Sequence, residues 1–366
     1  MFEKLIEYVV ERKNYLLEKL KNMEGTLSEV APQDFWREYT PKGEIRKPIV
    51  AEDGSFNYIE YKKYLIYAVA AEAVAFDGNN LKIVTNYDVD VLIPYKFIRD
   101  RVRFYMSILE KKVVLKLLSE KKNFDYVLLD GSIMGDIIRP AAYAHRPNVT
   151  IKNKLRDVFF AKIENSLNSE EFSCVYAKTL YDDVIDIIGN EDIEKITAAM
   201  VYLEYLENLL TLSKLLKSES KIIAISKRSS GNHYFGRAIP DMAIFERYNR
   251  AAGFSFKPIK VVDIVSKKYK IAFPILESLF RNINISFFYV RFSKNSTVLK
   301  FEIVNEDCDE DYIKEILNDL EPYIVNGYPY LLTRAHRDVK ITRKEMLEIA
   351  KALGIEFLET TGREML

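Results

Sequence analysis

Two aspartates in the sequence are each followed directly by a glycine and a serine, in the segments "IVAEDGSFNYIEY" and "YVLLDGSIMGD". Asp53 and Asp130 each end a short apolar run, and strands of open sheets present residues in such positions to ligands. The glycine that follows allows a sharp turn or a close approach of the backbone. Since an isolated Asp-Gly pair is usually a turn, the segments are either two turns or two carboxylates brought to one place.

A third carboxylate, Glu110, lies on the apolar stripe of a predicted helix in "FYMSILEKKVVLKLL", between Met106 and Val113. A buried charge without a partner costs several kcal/mol, so Glu110 needs an arginine, a hydrogen-bond network or a metal ion. A partly solvated position on the rim of the helix is the alternative. Clustered carboxylates suit Mg²⁺ and Mn²⁺, and a pair of such ions can promote cleavage of a phosphodiester.

The late segment "NGYPYLLTRAHRDVKIT" adds a histidine, His336, in the company of Tyr328, Arg334 and Arg337. An imidazole can ligate Mn²⁺ or transfer a proton, and arginines pair well with phosphate oxygens. A purely structural histidine is the alternative. Together with the carboxylates, this segment indicates a metal-dependent reaction at phosphate.

Composition limits the classes of function. The 54 Lys and Arg residues balance the 54 Asp and Glu residues, so no overall field draws the protein onto nucleic acid, and a DNA-binding surface must be local. Cys174 and Cys308 predict neither a disulfide framework nor a structural zinc site. No apolar stretch suits a membrane span and the first residues lack a secretory signal, so we expect a cytoplasmic protein. Abundant Lys, Glu, Ile and Tyr favour a thermophilic source.

These residues must be positioned by the elements around them. β-branched and aromatic residues over 49–94 predict an antiparallel meander, and a helix over 99–122 then leads to a short strand over 126–129 in the same sheet. The fold class predicted is α/β with a mixed β-sheet, in the element order of ribonuclease H-like cores, with a helical insertion and terminal helices. The expected regions are an N-terminal amphipathic helix and linker (1–48), one domain (49–340) with a mostly helical insertion at about 152–220, and a C-terminal helix (341–366).

The predicted helix over 2–23 places its apolar residues at helical spacing, with Glu and Lys between them. Its apolar side either packs on its own domain or contacts a second copy or another partner. A proline-containing loop follows the helix and separates it from the predicted meander.

The chain resembles the NurA nucleases of archaea. The resemblance rests on "EDGSFNYIEY", on the helix with Glu110 that leads to "LLDGSIM", and on "ISKRSS", "IPDMAIF" and "GYPYLLTRAHRDVKI", which together span about residues 49–340. It implies a ribonuclease H-like nuclease domain over that range and a site for Mn²⁺, with Mg²⁺ possible and two ions expected. The catalytic residues that it implies are Asp53, Glu110, Asp130, Tyr328 and His336, of which Asp53, Glu110, Asp130 and His336 would hold the metal.

The resemblance also implies an activity and partners. The implied enzyme is a 5′ to 3′ exonuclease on single- and double-stranded DNA, with endonuclease activity on single strands, that acts in DNA end resection, double-strand break repair and homologous recombination. A ring-like homodimer and a hexameric HerA helicase-translocase are the implied partners. The alternative is a catalytically silent DNA clamp or adaptor for the HerA motor, which the acidic residue Glu52 next to Asp53 favours.

If the chain is a nuclease, further polar residues are candidates for supporting roles. Asp241 is expected to cap the following helix, with a position facing the site as an additional role. Glu302 either supports the site or is solvated at the end of a strand. A local basic patch would reconcile zero net charge with DNA binding, although a solvated loop is the alternative for residues 227 and 228. The residues expected to meet DNA phosphates are Lys227, Arg228, Arg334 and Arg337.

Overall fold

The fold is given by a computed structural model that describes residues 2–25, 31–43, 45–120, 124–138, 147–170, 172–189, 192–261, 275–280, 283–304 and 306–355 of the 366-residue chain. The strands within these ranges are β1 (Trp36–Glu38), β2 (Ile49–Glu60), β3 (Leu65–Phe76), β4 (Leu81–Val91), β5 (Tyr126–Asp130), β6 (Lys221–Ser226), β7 (Gly253–Ser255), β8 (Ile259–Val261), β9 (Ile285–Arg291), β10 (Leu299–Val304), β11 (Ile324–Val325) and β12 (Tyr328–Pro329).

The α-helices within the same ranges are α1 (Phe2–Glu11), α2 (Lys13–Gly25), α3 (Ile98–Glu120), α4 (Ile133–Ile138), α5 (Val149–Asn168), α6 (Tyr181–Ile188), α7 (Ile193–Leu216), α8 (Asp241–Tyr248), α9 (Ile275–Phe280), α10 (Glu310–Leu320), α11 (Tyr330–Val339) and α12 (Arg343–Ala352). No helix among the described residues is both long enough and apolar enough to cross a membrane.

One mixed sheet organises the molecule. Its strand order is β1-β7-β9-β10-β6-β5-β2-β3-β4, with β8 paired to β9. β5 lies between β2 and β6 and runs parallel to both, whereas β2, β3 and β4 form an antiparallel meander. The predicted mixed-sheet α/β class is therefore confirmed, and the meander, the crossover helix α3 and the returning strand β5 appear where the sequence predicted them.

Alternating residues of the central strands build a core on each face of the sheet. Val50 and Leu129 point toward the layer that contains α3, α5 and α7, and we call this side of the sheet the α3 face. Ala51 and Leu128 point toward α10 and α11, and we call this side the α11 face. Side chains at successive positions of β2 thus enter different layers, which decides where each candidate residue lies.

Helix α7 is buried around almost its whole circumference, in the region predicted to be a helical insertion. Two acidic residues on it form buried ion pairs with α3: Glu204 with Arg101 (2.6 Å) and Glu207 with Lys112 (2.7 Å). Because unpaired charges at such positions would be strongly destabilising, these pairs fix how α7 lies against α3.

The N-terminal segment differs from the single helix predicted over 2–23. It forms α1 and α2, which are interrupted at Arg12, and every residue of α1 is exposed. Of the two alternatives for its apolar side, packing on its own domain is wrong for the described residues, since Phe2 is 73% and Leu20 57% exposed. A contact with a second copy or another partner stays a prediction.

The predicted linker contains a strand that periodicity did not reveal. β1 pairs with β7 at the far edge of the sheet, and Trp36 packs against Phe245 with ring centroids 5.4 Å apart. Gly253 makes this pairing possible, because a Cβ atom there would lie 2.2 Å from the carbonyl oxygen of Arg37. Three residues are too short a stretch for an alternating pattern to be recognised.

Candidate metal and nuclease site

Asp53 lies inside β2 rather than in a turn. Its neighbours continue the ladder with β3, where Asp53 is paired with Glu72, so the turn interpretation of this Asp-Gly-Ser segment is wrong. The pairing of β2 with β5 ends at Glu52, and the Asp53 side chain therefore emerges where β5 stops. Burial raises the pKa of Asp53, and the charge of Asp130 raises it further.

Asp130 is the last residue of β5 and does precede a turn. Gly131 has φ +134°, a conformation that favours glycine, and its N–H donates to the carbonyl oxygen of Ile225 at 3.1 Å. β2 and β5 are neighbouring parallel strands, and the charge of Asp130 affects the pKa of Asp53. The two aspartates therefore lie close together, at the point where β5 ends. The Lys227 ammonium lies 3.0 Å from Asp130 Oδ2.

His336 reaches this region from α11, which the sequence did not predict as a helix. Its Nδ1 lies 2.6 Å from Asp53 Oδ2. The end of α11 is tied to β2, because Ile341 N–H donates to Ser55 Oγ at 3.1 Å and Asn57 donates to the Ile341 carbonyl oxygen at 3.2 Å. The serine of the first Asp-Gly-Ser segment therefore helps to place the histidine beside the aspartate.

Glu110 approaches from the opposite face of the sheet, where α3 packs over β2. The residue is buried at 8% exposure, so the solvated-rim alternative is wrong. A Cβ atom at Gly54 would lie 2.5 Å from Glu110 Oε1, which shows that the glycine lets this carboxylate lie against the strand. Burial raises the pKa of Glu110 to about 8, Lys111 lowers it, and Asp53 is among the acids that raise it.

Two further buried acids adjoin the site. Glu52 shares the α3 face with Glu110, and burial and the Glu110 charge hold its pKa well above the usual range. Glu72 lies on β3 opposite Asp53, with its pKa raised to about 6 by burial first and by Asp338 next. One oxygen of each, Glu52 Oε2 and Glu72 Oε1, is buried without a hydrogen-bond partner among the described residues.

Glu72 was not predicted as a site residue, although its position in the strand sequence is unusual. It is the only charged residue in the strand "LIYAVAAEAVAF", which is otherwise apolar and almost wholly buried. A carboxylate in such a strand needs a reason to be there, because burying it costs free energy.

Tyr328 is placed by the hairpin of β11 and β12, whose turn has Asn326 and Gly327 at positive φ. Its hydroxyl is buried and makes no hydrogen bond to the described residues. Burial, Asp130 and Asp53 together raise the pKa of Tyr328, so the phenol stays protonated. The Lys227 ammonium lies over its ring, 4.5 Å from the centroid.

The four predicted DNA-binding residues fall into different environments. Lys227 and Arg228 are exposed, and Lys227 is paired with Asp130. Arg337 is exposed and contacts Asp338 at 3.0 Å. Arg334 is half-buried, and its Nε forms an ion pair with Asp338 Oδ2 at 3.5 Å although it makes no hydrogen bond within the described residues. Its charge lowers the pKa of Glu72.

Asp241 does not cap the helix as predicted, because it is the first residue of α8 and its side chain makes no capping hydrogen bond. It is fully buried and accepts hydrogen bonds from the N–H groups of Tyr234 (2.9 Å) and Phe235 (3.2 Å), which lie in the preceding loop. Its side chain therefore holds that loop against the start of α8.

The donor set fits a hard divalent cation without forming a complete cage for one. No three Asp, Glu, His or Cys side chains within the described ranges are close enough together to encircle an ion. Carboxylates and one imidazole nevertheless surround the point where β5 ends, and the orphaned oxygens of Glu52 and Tyr328 border it. Oxygen and imidazole ligands are those that Mn²⁺ accepts, so the residues present suit this ion.

Comparison with known proteins identifies the family. The profile described as the NurA domain matches residues 47–341. The chain is 27% identical to the probable DNA double-strand break repair nuclease NurA of Methanocaldococcus jannaschii, across 96% of this chain and 90% of that protein. It is 26% identical to the DNA double-strand break repair nuclease NurA of Saccharolobus solfataricus, across 97% and 96% of the two chains.

Solved structures agree with this assignment. The crystal structure of the NurA nuclease from Sulfolobus solfataricus superimposes with a TM-score of 0.72 at 25% identity and covers 97% of both chains. A crystal structure of NurA bound to dAMP and manganese has a TM-score of 0.68 at 17% identity, covers 98% of this chain and 99% of that one, and so shows the shared fold. The match of the NurA profile to most of the chain, supported by these relatives, confirms the sequence-based recognition: the chain belongs to the NurA family of nucleases.

Proposed function

We propose that the protein is a Mn²⁺-dependent DNA nuclease whose metal would be held by Asp53, Glu110, Asp130 and His336. Since no three such side chains lie close enough to encircle an ion in the described residues, these four would have to move closer together when the metal binds. The observation that carries the proposal is the 2.6 Å contact between His336 Nδ1 and Asp53 Oδ2 at the point where β5 delivers Asp130. Relatives named as DNA double-strand break repair nucleases and a relative bound to dAMP and manganese support the same chemistry. Mg²⁺ is a second suitable ion, and the number of carboxylates suits two ions.

The arrangement of the strands supports a ribonuclease H-like core for this nuclease. Three antiparallel strands are followed by α3 and then by β5, which joins the sheet parallel to β2. This order places one acid on β2, one on α3 and one on β5. The nuclease domain would span residues 49–340, with the helical segment at about 152–220 as its insertion.

When bound, divalent ions in such a site activate the attacking water and neutralise charge on the leaving oxygen of the phosphodiester. Asp53 and Asp130 would supply oxygen ligands where β5 ends, and Glu110 would add one from the α3 face. His336 fixes the direction of the Asp53 carboxylate through their contact. Tyr328 keeps its proton and can donate a hydrogen bond to a phosphate oxygen or to the attacking water.

For the substrate, we propose 5′ to 3′ exonuclease activity on single- and double-stranded DNA and endonuclease activity on single strands. Lys227, Arg228, Arg334 and Arg337 would contact phosphates around the site. End resection during double-strand break repair and homologous recombination would be the cellular role, in the cytoplasm. A HerA hexameric helicase-translocase would supply the DNA.

Two exposed apolar surfaces support a homodimer and a protein partner. One is the side of α1 and α2, and the other is the edge strand β4, where alternate residues such as Ile83, Tyr87 and Val89 are exposed. Removal of residues 2–25 tests the first surface by light scattering and by cleavage in the presence of HerA. Unchanged oligomer mass together with unchanged stimulation would exclude α1 and α2 from both contacts.

One observation favours a second candidate, a catalytically silent clamp or adaptor for HerA. Glu52 adds a buried negative charge beside Asp53 and Glu110, which raises the cost of ionising the whole cluster. Such a protein would bind DNA and HerA but would not cleave.

End-labelled DNA incubated with the protein and either Mn²⁺ or EDTA separates the two candidates. The nuclease cleaves only with Mn²⁺, and Asp53→Asn and Asp130→Asn abolish cleavage while DNA affinity persists. Asp319→Asn is a matched control, since Asp319 accepts a hydrogen bond from the Tyr126 hydroxyl at the other end of β5 from Asp130. Cleavage that survives both Asn variants contradicts the assigned site, and DNA binding without any cleavage by the wild type supports the clamp.

A further inference from the structure

Glu302 is a fully buried carboxylate that contacts the turn after Asp130. It lies on β10, and its two oxygens accept hydrogen bonds from Ser132 Oγ at 2.8 Å and from the N–H of Met134 at 3.1 Å. Lys300 balances the charge, with its Nζ 2.7 Å from Glu302 Oε1. Solvation at the end of a strand, the alternative considered from the sequence, is therefore wrong.

The sheet gives Glu302 a direct route to this turn. Glu302 is paired with Ala224 of β6, Ala224 with Leu129 of β5, and Leu129 with Glu52 of β2, so the four residues form one row across the strands. Leu129 immediately precedes Asp130. The Glu302 side chain thus reaches across β6 from β10 and contacts the residues that follow β5.

Ser132 is the link between Glu302 and the start of α4. Its hydroxyl donates to Glu302 and also accepts a hydrogen bond from Gly135 N–H at 2.9 Å. Ser226 Oγ also restrains this turn, because it donates to the carbonyl oxygen of Gly131 at 2.5 Å. After Gly131, which has positive φ, the Glu302–Ser132 link holds the next part of the path from β5 into α4. This explains why a serine completes the second Asp-Gly-Ser segment.

We propose that Glu302 is a positioning residue, which sets the direction of the Asp130 carboxylate by holding Ser132 and Met134. It does not touch the metal or the DNA, and the inference rests on the proposed metal site. Residues that orient metal ligands commonly change metal affinity or activity by about 10- to 100-fold when removed. A residue with a merely structural role would change the stability of the fold without a selective effect on metal binding.

Two variants test the link from both ends. Glu302→Gln replaces one acceptor with a donor, and Ser132→Ala removes the hydroxyl. In both, α4 remains anchored through the ion pair between Lys111 and Asp136 (2.7 Å), and a folded protein is expected. Glu204→Gln is the matched control, because Glu204 is an equally buried, ion-paired carboxylate on α7.

The full chain is titrated with Mn²⁺, and free Mn²⁺ is followed by electron paramagnetic resonance, with thermal melting in EDTA measured in parallel. Glu302→Gln and Ser132→Ala should each weaken Mn²⁺ binding by about 10-fold or more. The double variant should bind Mn²⁺ no more than about 2-fold less tightly than the single variant with the lower affinity, because both changes break the same hydrogen-bonded link. Glu204→Gln should lower the melting temperature and leave Mn²⁺ affinity within about 2-fold of the wild type.

Mn²⁺ affinities of both single variants within about 2-fold of the wild type would overturn the inference, as would effects that multiply in the double variant. If Glu302→Gln does not fold, Ser132→Ala alone decides by the same criterion. A wild-type protein that binds no Mn²⁺ would refute the proposed metal site itself, which distinguishes that failure from failure of the positioning role.

Discussion

His336 Nδ1 lies 2.6 Å from Asp53 Oδ2, although 283 positions separate the two residues in the chain. The contact joins α11 to the middle of β2. Within the site it opposes the two influences that raise the pKa of Asp53, which are its burial and the nearby charge of Asp130. The histidine therefore helps to keep the Asp53 carboxylate, a proposed metal ligand, ionised.

Replacement of His336 by alanine should impair cleavage in a pH-dependent way. Without the imidazole, the pKa of Asp53 rises further, so a higher pH is needed to ionise it. We expect the acidic limb of the profile of kcat/KM against pH, at saturating Mn²⁺, to move to higher pH. His233→Ala is the control, because the His233 ring makes an edge-to-face contact with Phe287 elsewhere. A His336→Ala profile that coincides with the wild type would contradict this role.

Replacement of Glu110 by glutamine should abolish cleavage and stabilise the folded protein at high pH. The folded protein holds the proton of Glu110 up to about pH 8, whereas the ordinary value is 4.5, so the folded state binds more protons between these values. Stability contributed by the protonated form is thus lost as pH rises from about 4.5 to about 8. Glutamine does not ionise, so Glu110→Gln should not lose this stability as the pH rises.

In EDTA, Glu110→Gln should melt at the same temperature as the wild type near pH 5 and several degrees higher near pH 9, a difference on the order of a few kcal/mol. Its Mn²⁺-dependent cleavage should be lost at every pH. Differential scanning calorimetry and the cleavage assay together check both parts. Equal melting temperatures at pH 9 would show that burial of this carboxylate has no energetic cost.

Replacement of Gly54 by alanine should displace Glu110. The added Cβ would lie 2.5 Å from Glu110 Oε1 and 2.8 Å from its Cγ, and from Met106 Cγ, so the helix or the strand must shift. Overpacking of this kind costs about 1–3 kcal/mol, and cleavage should fall by at least 10-fold. Gly231→Ala is the control, since its nearest neighbour would be a His233 ring atom at 3.3 Å. Wild-type cleavage by Gly54→Ala would show that the position of Glu110 is not critical.

The basic residues should separate by environment when each is changed to glutamine. Arg228→Gln and Arg337→Gln replace exposed residues, and both should weaken DNA binding. Each should lower the slope of log Kd against log salt by about 0.7 to 0.9 for each phosphate that is no longer neutralised. Arg334→Gln should instead act on stability, because its charge offsets the buried carboxylate of Glu72. Fluorescence anisotropy at several salt concentrations measures the slopes. Unchanged slopes for Arg228→Gln and Arg337→Gln would place the DNA elsewhere.

The sequence predicted those parts of the fold that have strong local patterns. The meander of β2, β3 and β4 and the long helix α3 follow from periodicity over ten or more residues, and they carry Asp53 and Glu110. Asp130 follows from a short apolar run that ends in Asp-Gly. The short strands β1, β7 and β8 depend on pairing between distant segments, which no local pattern encodes. β11 and β12 form a local hairpin, but at two residues each they are too short to show an alternating pattern.

The surroundings of the site could not be predicted from the sequence for a related reason. Whether Glu302 is solvated or buried depends on Ser132, which is 170 positions away, and the effect of Glu72 depends on its register with Asp53. Helix α11 was hidden because "NGYPYLLTRAHRDVKIT" begins with Gly and Pro, typical of loops, and the hairpin of β11 and β12 uses those residues before the helix begins.

Anomalous diffraction from a manganese-soaked crystal tests the metal site most directly. At the manganese edge, the difference map should contain a peak bonded to carboxylate oxygens of both Asp53 and Asp130, with His336 or Glu110 completing the ligands. The same soak of Asp130→Asn crystals should lose or weaken the peak. A wild-type map with no peak at this position, or with manganese bound only elsewhere on the molecule, would contradict the proposed nuclease site.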